Sequence, residues 1–502
     1  MKIKLFILGL ILVLSAILRF NRLGEIFIFG FDEEYQATYA WTLVADPHPI
    51  WIGVSSSFLD FYLGPYFTYF TALLLGISGG DPMITAYFAG ALGVLTAGVI
   101  FFIGWKIFNL TTGAVASLLY ATLAYFVFYD QKYWNTMFTP LIALLLFLTV
   151  ILVKKSKWWW VLGAALFGSV LQTHLEPAPL FLIGGWYFIK GKYWKNIKLV
   201  LVCLVVLALF YWPLLVFDYF HNFSNITAFG RLKTDLDQSK ISFDPGLKFA
   251  TLFDSMGRFW FMEPGNPNGD EINISCTSLS VKPEFKFIDQ YAERTAGWPV
   301  LSAVTLFLLL IFLIKSFQSP KPPVKLLGIF LAVALLSFLS FPGGSSEYYT
   351  LSFFTLFVFV PGILVSGFAK KYLLFLFIPL LLAIFLGLNT VFNASGEFGL
   401  GTKKVLIRKV MDVIGDGSFE VQGRGVCHNW EGWRYLFKVY GRMPAKSYTD
   451  NDLGWLYLDE ISKQPVDFTV ILAEDRLPLK EEFSYLLTFK EGGYRAYIIK
   501  NK

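Results

Sequence analysis

Apolar runs of about 16–22 residues recur along most of this chain, each close to the length that crosses a hydrocarbon core of roughly 30 Å. Only 16% of the 502 residues are charged and 53 are Phe, so there is too little polar surface for a water-soluble globule. The spacing predicts spans near 5–20, 83–104, 110–128, 135–153, 158–174, 177–190, 197–217, 298–315, 325–341, 349–368 and 372–392, about eleven in all. The run at 177–190 is short and needs neighbours to cross. Lys2 and Lys4 ahead of the first run would suit a signal peptide, but Leu18-Arg19-Phe20-Asn21 follows without a small-x-small cleavage site. The first run is therefore expected to stay as an uncleaved helix.

Basic residues set the orientation. Alternate junctions carry Lys2/Lys4, Lys106, Lys154/Lys155/Lys157, Lys190/Lys192/Lys195/Lys198, Lys315/Lys321/Lys325 and Lys370/Lys371, and none of them holds an Asp or Glu. The acids fall in the other set of junctions. This split predicts a cytoplasmic N-terminus and places every acid outside the cytoplasm. The net charge of +6 is then the positive-inside bias, with some attraction to anionic membrane lipid, and gives no reason to expect a nucleic-acid partner. Of the three Cys, Cys203 lies in a span; Cys276 and Cys427 are both expected outside, where a disulfide could form if they meet.

The chain divides into a membrane module at 1–217 with a first outer segment at 21–81, a large outer loop at 218–297, further spans at 298–392 and a tail at 393–502. FYLGPYFTYFTALLLGIS (61–78) is long enough to mimic a span, but counting it as one would put the Lys clusters outside. It reads better as a helix in the outer interface with its Tyr and Phe at headgroup level. The loop at 218–297 is rich in Asp, Asn, Gly and Pro, and a connection of that length tends to be functional or disordered. In the tail, strand-like runs (VDFTVILAE, YRAYIIK) alternate with a helical stretch (NWEGWRYLFKVYGRM), which predicts a small α/β domain outside the membrane.

Charge next to a bilayer is costly and needs a reason. Phe31-Asp32-Glu33-Glu34-Tyr35 places three carboxylates in succession just beyond the first span. A carboxylate at an apolar rim is partly desolvated, which raises its pKa and makes it a better base near neutral pH. The bland alternatives are a loop acid facing water, or a helix N-terminal cluster satisfying the dipole. Three other outer groups sit at the same level. Asp130 and Lys132 lie in FYDQKYWN, His174 and Glu176 in LQTHLEP, and Glu347, Tyr348 and Tyr349 in the turn PGGSSEYY. Each has its own bland reading: an interfacial aromatic belt with a solvated ion pair, or a helix-terminal His on free carbonyls. Four His in the whole chain give a His-based metal site little support, and the sequence holds no Walker A, dinucleotide, HExxH or nucleophile-elbow motif.

On these residues a resemblance becomes specific. FDEEYQATYA (31–40), the aromatic stretch 61–78, WKIFNLTTGAVASLLYA (105–121), QTHLEPAPL (172–180), YWPLLVFDYFHNF (211–223) and EYYTLSFFTLFVFVPGI (347–363) make the chain similar to the polytopic GT-C glycosyltransferases of family 39, the protein mannosyltransferase and aminoarabinose transferase group. It covers most of 1–392, and the Asp-Glu motif is its one true signature. The resemblance implies an all-α polytopic fold of GT-C type with a small extracytoplasmic α/β domain. It also implies a polyprenyl-phosphate sugar donor and a lipid, glycan or protein acceptor. In the family the motif's Asp is the catalytic base, a role that passes to Asp32 with Glu33 beside it. Bacterial relatives often carry a small residue where this chain has Glu34, which leaves Glu34 without an assigned role. The family's Arg-x-Asp-like element matches Asp130 only loosely.

The chemistry is self-consistent. A lipid-linked donor arrives through the membrane, so no soluble nucleotide-binding domain is needed. Its leaving group is a phosphate that needs electrostatic help rather than a general acid, for which Lys132 and His174 are candidates; Glu176, Glu347 and Tyr348 complete the expected substrate-binding set. A divalent cation on Asp32, Glu33 and Asp130 is compatible with the motif and not demanded by it. The rivals are an oligosaccharide ligase or polymerase with a diphosphate-linked donor, and a transporter. A transporter would place ionisable residues mid-bilayer in broken helices, whereas here nearly all sit at the rim.

Overall fold

Inside hydrocarbon no water is available to backbone amides, so apolar runs must close their own hydrogen bonds as helices. They do so throughout the computed structural model of the chain, which describes residues 2–56, 61–228, 230, 244–262, 297–341, 346–367, 373–424, 432–475 and 485–501. Among the described residues seven helical stretches are long and apolar enough to cross a membrane: Lys2–Phe20, Met83–Phe108, Asn135–Leu152, Ile197–Phe220, Pro299–Gln318, Pro322–Ser340 and Glu347–Gly367. The span expected at 110–128 is a pair, Leu110–Thr122 and Ala124–Asp130, bent by 64°. The runs at 158–174, 177–190 and 372–392 appear as Trp159–Val170, Phe181–Lys190 and Leu373–Asn393. The chain is an integral multi-pass membrane protein.

Burial sorts these helices. Ile197–Phe220 is apolar all round, and Leu201, Leu204, Val205, Leu209 and Leu215 are exposed, as expected of a helix that faces lipid. Leu351–Phe357 is buried throughout. It stands at the centre, where Phe354 stacks on Phe259 at 5.2 Å and meets Tyr125 edge-on at 5.2 Å.

The segment at 21–81 is more ordered than its composition suggests. The three acids do not lie on an irregular loop; they form the first turn of an α-helix, Phe31–Ala45. Strands β1 (Ser55–Ser56) and β2 (Phe61–Tyr62) pair antiparallel, and Tyr66–Ser78 is the expected short aromatic helix. The Asn225 side chain fixes β2, accepting from Tyr62 N at 2.8 Å and donating to Tyr62 O at 2.8 Å.

The large loop also holds a packed helix, Pro245–Trp260, capped by Asp244 and laid against Pro299–Gln318. Its buried face includes Lys248, Thr251, Ser255 and Arg258, so its helical period is hidden behind polar residues. Cys276 and Cys427 lie outside the described residues.

The tail is a five-stranded mixed sheet in the order β4-β3-β5-β7-β6, made of β3 (Phe419–Arg424), β4 (Lys446–Ser447), β5 (Phe468–Glu474), β6 (Leu487–Glu491) and β7 (Tyr494–Lys500). The runs VDFTVILAE and YRAYIIK form β5 and β7, antiparallel with Leu472 opposite Ala496, while β3 runs parallel to β5. Six of the seven β5 residues are buried, as a central strand requires. Helices Leu400–Ile414 and Trp433–Tyr440 pack on the sheet, and through them this α/β unit seats on the acidic helix.

Candidate active site

The acidic helix opens at Gly30, and Glu33 reaches back so that its Oε2 accepts from Gly30 N at 3.1 Å, half of a capping box. Its other oxygen stands 3.4 Å from Lys132 Nζ, both side chains buried. Glu34 is buried as well. Asp32 alone of the three is exposed, and among the described residues nothing hydrogen-bonds its carboxylate. Protein nonetheless crowds it. Lost hydration pushes its pKa above the ordinary carboxylate value, Lys132 pulls it back down, and the Glu33 charge adds to the rise.

Around Asp32 the chain assembles residues from three distant segments. Lys132 Nζ lies 5.1 Å from the Trp134 ring, whose edge meets Tyr348 at 4.8 Å. Tyr348 is within electrostatic reach of Asp32 and lies 4.3 Å from Tyr349. The His174 ring packs against both tyrosines, at 5.8 and 5.6 Å. His174 Nδ1 accepts from Glu176 N at 3.2 Å, and burial lowers its pKa to about 4. The imidazole is therefore neutral near pH 7 with its proton on Nε2, a hydrogen-bond donor and not a cation. Glu176 accepts from Ser352 Oγ at 2.6 Å and Ser352 N at 3.3 Å, and burial raises its pKa to about 8.

Two expected members face elsewhere. Asp130 Oδ2 accepts from Arg19 Nε and Nη2 at 2.8 and 2.6 Å, and Oδ1 accepts from Tyr120 at 3.0 Å. Both oxygens are held in a buried network, so Asp130 is not presented to the site. The cation set Asp32, Glu33 and Asp130 is not assembled, and among the described residues no three His, Cys, Asp or Glu side chains come together. Glu347 likewise turns inward to Arg258, with Oε2 3.3 Å from Nε and both side chains buried, leaving Tyr348 as that turn's contribution.

Sequence reasoning missed Arg19, Arg258, Lys248 and Ser352. Lys248 is buried with its ammonium 6.0 Å from the Tyr349 ring, and burial lowers its pKa to about 8. It places a second basic group behind the tyrosine pair. Leu252, Met256 and Phe259 on the same face have helical spacing, but Lys248, Thr251, Ser255 and Arg258 among them mask it in the sequence.

An apolar cavity of about 280 Å³ lies among helices Tyr66–Ser78, Thr139–Leu152, Trp159–Val170 and Ile197–Phe220, lined by Phe67, Phe138, Leu141, Leu145, Leu166 and Phe210. Gln172, two residues before His174, also lines it, and its amide is fixed by Tyr66 N and Phe210 O at 3.1 and 2.6 Å.

A many-helix body, an acidic helix beside it and an α/β unit seated on that helix make up a fold of GT-C type, shared with ArnT and oligosaccharyltransferase structures. The crystal structure of ArnT from Cupriavidus metallidurans bound to undecaprenyl phosphate is similar to this chain with a TM-score of 0.61 at 12% identity, covering 98% of this chain and 97% of that one. The apo ArnT structure gives 0.60 at 11% identity with the same coverage. The apo Archaeoglobus fulgidus oligosaccharyltransferase gives 0.53 at 13% identity, covering 93% of this chain and 69% of the other. No protein-family model matches the sequence, and no curated protein does.

Proposed function

We propose that this chain transfers a sugar from a polyprenyl-phosphate donor to an acceptor hydroxyl at the non-cytoplasmic face of the membrane. The observation that carries the reading is the state of Asp32: exposed, crowded enough for its pKa to rise, and not hydrogen-bonded among the described residues, on a fold shared with ArnT. A base must keep its lone pairs available until the acceptor arrives, and its two acidic neighbours are already engaged elsewhere.

In the proposed step Asp32 takes the proton of the acceptor O–H while that oxygen attacks the anomeric carbon. The bond from that carbon to the phosphate oxygen breaks, its electron pair leaves with the polyprenyl phosphate, and single displacement inverts the anomeric configuration. Lys132 offsets the departing charge and the His174 Nε2–H donates to a phosphate oxygen. Trp134, Tyr348 and Tyr349 give the sugar ring apolar faces to lie against. The apolar cavity near Gln172 suits a stretch of the isoprenoid chain, and the similar ArnT was solved with undecaprenyl phosphate bound.

Orientation belongs to the same reading: N-terminus cytoplasmic, acidic helix and α/β unit outside. The Lys-rich junctions support it, and single cysteines at Asp46 and Lys155 should label from opposite faces.

Mass spectrometry of lipid-linked sugars and outer glycans in cells carrying Asp32→Asn tests the activity. An accumulated donor with a lost glycan supports the reading; unchanged glycans with a stably produced variant would sink it.

A further inference from the structure

Helix Trp433–Tyr440 in the α/β unit begins at Gly432, which has φ of 75° and no side chain with which to cap the free amides. A residue with a Cβ could not serve there, because that atom would run into the Phe29 carbonyl. The missing cap comes from another part of the chain. Glu34 Oε1 accepts from Tyr435 N at 3.0 Å. Its other oxygen, Oε2, is buried with no hydrogen-bond partner among the described residues, so the side chain is committed to this one contact.

The turn that carries Asp32 is thus held from two sides. Glu33 ties it to Gly30 and Lys132 within the membrane body. Glu34 ties it to the α/β unit, where Lys403 donates to Phe29 O at 3.3 Å, Leu400 N to Phe27 O at 2.7 Å and the Tyr435 hydroxyl to Gly80 O at 2.9 Å. Asp32, between the two anchored segments, is the acid left open.

We propose that Glu34 is a positioning residue, through which the α/β unit sets where Asp32 stands by supplying the N-cap of helix Trp433–Tyr440. This rests on the reading of Asp32 as the base. The unit is then part of the machinery that aims the base, and not an appendage.

The test uses the full chain with Glu34→Ala, Glu34→Gln and Asp32→Asn, read by hydrogen exchange over 31–36 and 433–437 and by the glycan product in cells. Gln keeps a carbonyl oxygen at the capping position and Ala does not. Glu34→Ala should speed exchange in both peptides and lower product formation by about a hundredfold, as a small misplacement of a reacting group does. Glu34→Gln should restore both readouts most of the way, which a requirement for negative charge alone would not allow. Asp32→Asn should abolish product and leave exchange unchanged. If the Ala protein fails to accumulate, Glu34→Asp, one methylene too short to cap, makes the same comparison. Unchanged product in a faster-exchanging Glu34→Ala protein overturns the proposal, as does a Gln variant no better than Ala. Retained product in Asp32→Asn overturns the assignment of the base, whatever Glu34 does.

Discussion

Arg19, at the end of the first span, donates twice to a single oxygen of Asp130, which lies at the end of the second half of a bent helix pair. Tyr120 holds the other oxygen, and Arg19 also donates to Ser15 Oγ at 2.9 Å and to the Ala121 carbonyl at 3.1 Å. The bend ends the first half of the pair near 122 and leaves carbonyls there that no continuous helix satisfies. Arg19 takes up the Tyr120 and Ala121 carbonyls and brings its charge to Asp130 at the same time.

Breaking such a buried pair from one side leaves an uncompensated charge, at a cost of roughly 3–5 kcal/mol. Asp130→Leu should therefore lower stability by that order, seen as an early thermal transition in detergent, while Arg19→Met with Asp130→Leu recovers much of the loss. Gly93→Ala should act in the same direction, since its methyl would overlap both Asp130 Oδ2 and Arg19 Nε. If Asp130 served the substrate, the double variant would be stable and inactive; the geometry predicts that it keeps activity.

This network also shows what a sequence can and cannot disclose. Apolar run lengths and strand-like alternation are local signals, and they located the apolar helices, the short aromatic helix and two strands of the tail, β5 and β7. Asp130 was visible as an acid at the rim, but its partner lies 111 residues away, and no local pattern joins the two. Glu34 and Tyr435 are 401 residues apart, so the one acid left unassigned had its explanation at the far end of the chain. Helix Pro245–Trp260 escaped because its buried face carries Lys248 and Arg258, which inverts the polarity a soluble amphipathic helix would show.

The acid limb of the pH–rate profile should answer to the two charges beside Asp32. Lys132 holds its pKa down and Glu33 pushes it up. A base is active only when ionised, so Lys132→Met should move the acid limb to higher pH and Glu33→Gln to lower pH. Shifts of the same sign in both variants would count against Asp32 as the titrating group.

Stability should respond to pH through His174 and Glu176 in opposite windows. The folded pKa of His174, about 4, lies below its ordinary 6.5, so its contribution is present above 6.5 and lost as pH falls toward 4. The folded pKa of Glu176, about 8, lies above its ordinary 4.5, so its contribution is full below 4.5 and lost as pH rises through 8. Thermal unfolding from pH 4 to 9 should therefore show Glu176→Gln removing a fall in stability between pH 4.5 and 8, and His174→Gln removing a rise between pH 4 and 6.5.

The apolar cavity makes the last test, because its proposed occupant can be varied in length. Leu145 and Leu166 both line it, so Leu145→Trp or Leu166→Trp fills space that an isoprenoid would take. Each buried methylene of a lipid chain is worth about 0.8 kcal/mol, so excluding a few of them weakens binding by about tenfold or more. A phosphate carrying only two isoprene units does not need the cavity and should bind the variants and the parent alike. Binding of long and short polyprenyl phosphates, measured by intrinsic Trp fluorescence or native mass spectrometry, separates the cases. Loss confined to the long chain places the isoprenoid in the cavity. Equal binding of the long chain to parent and variants removes it from there, and leaves the assignment of Asp32 untouched.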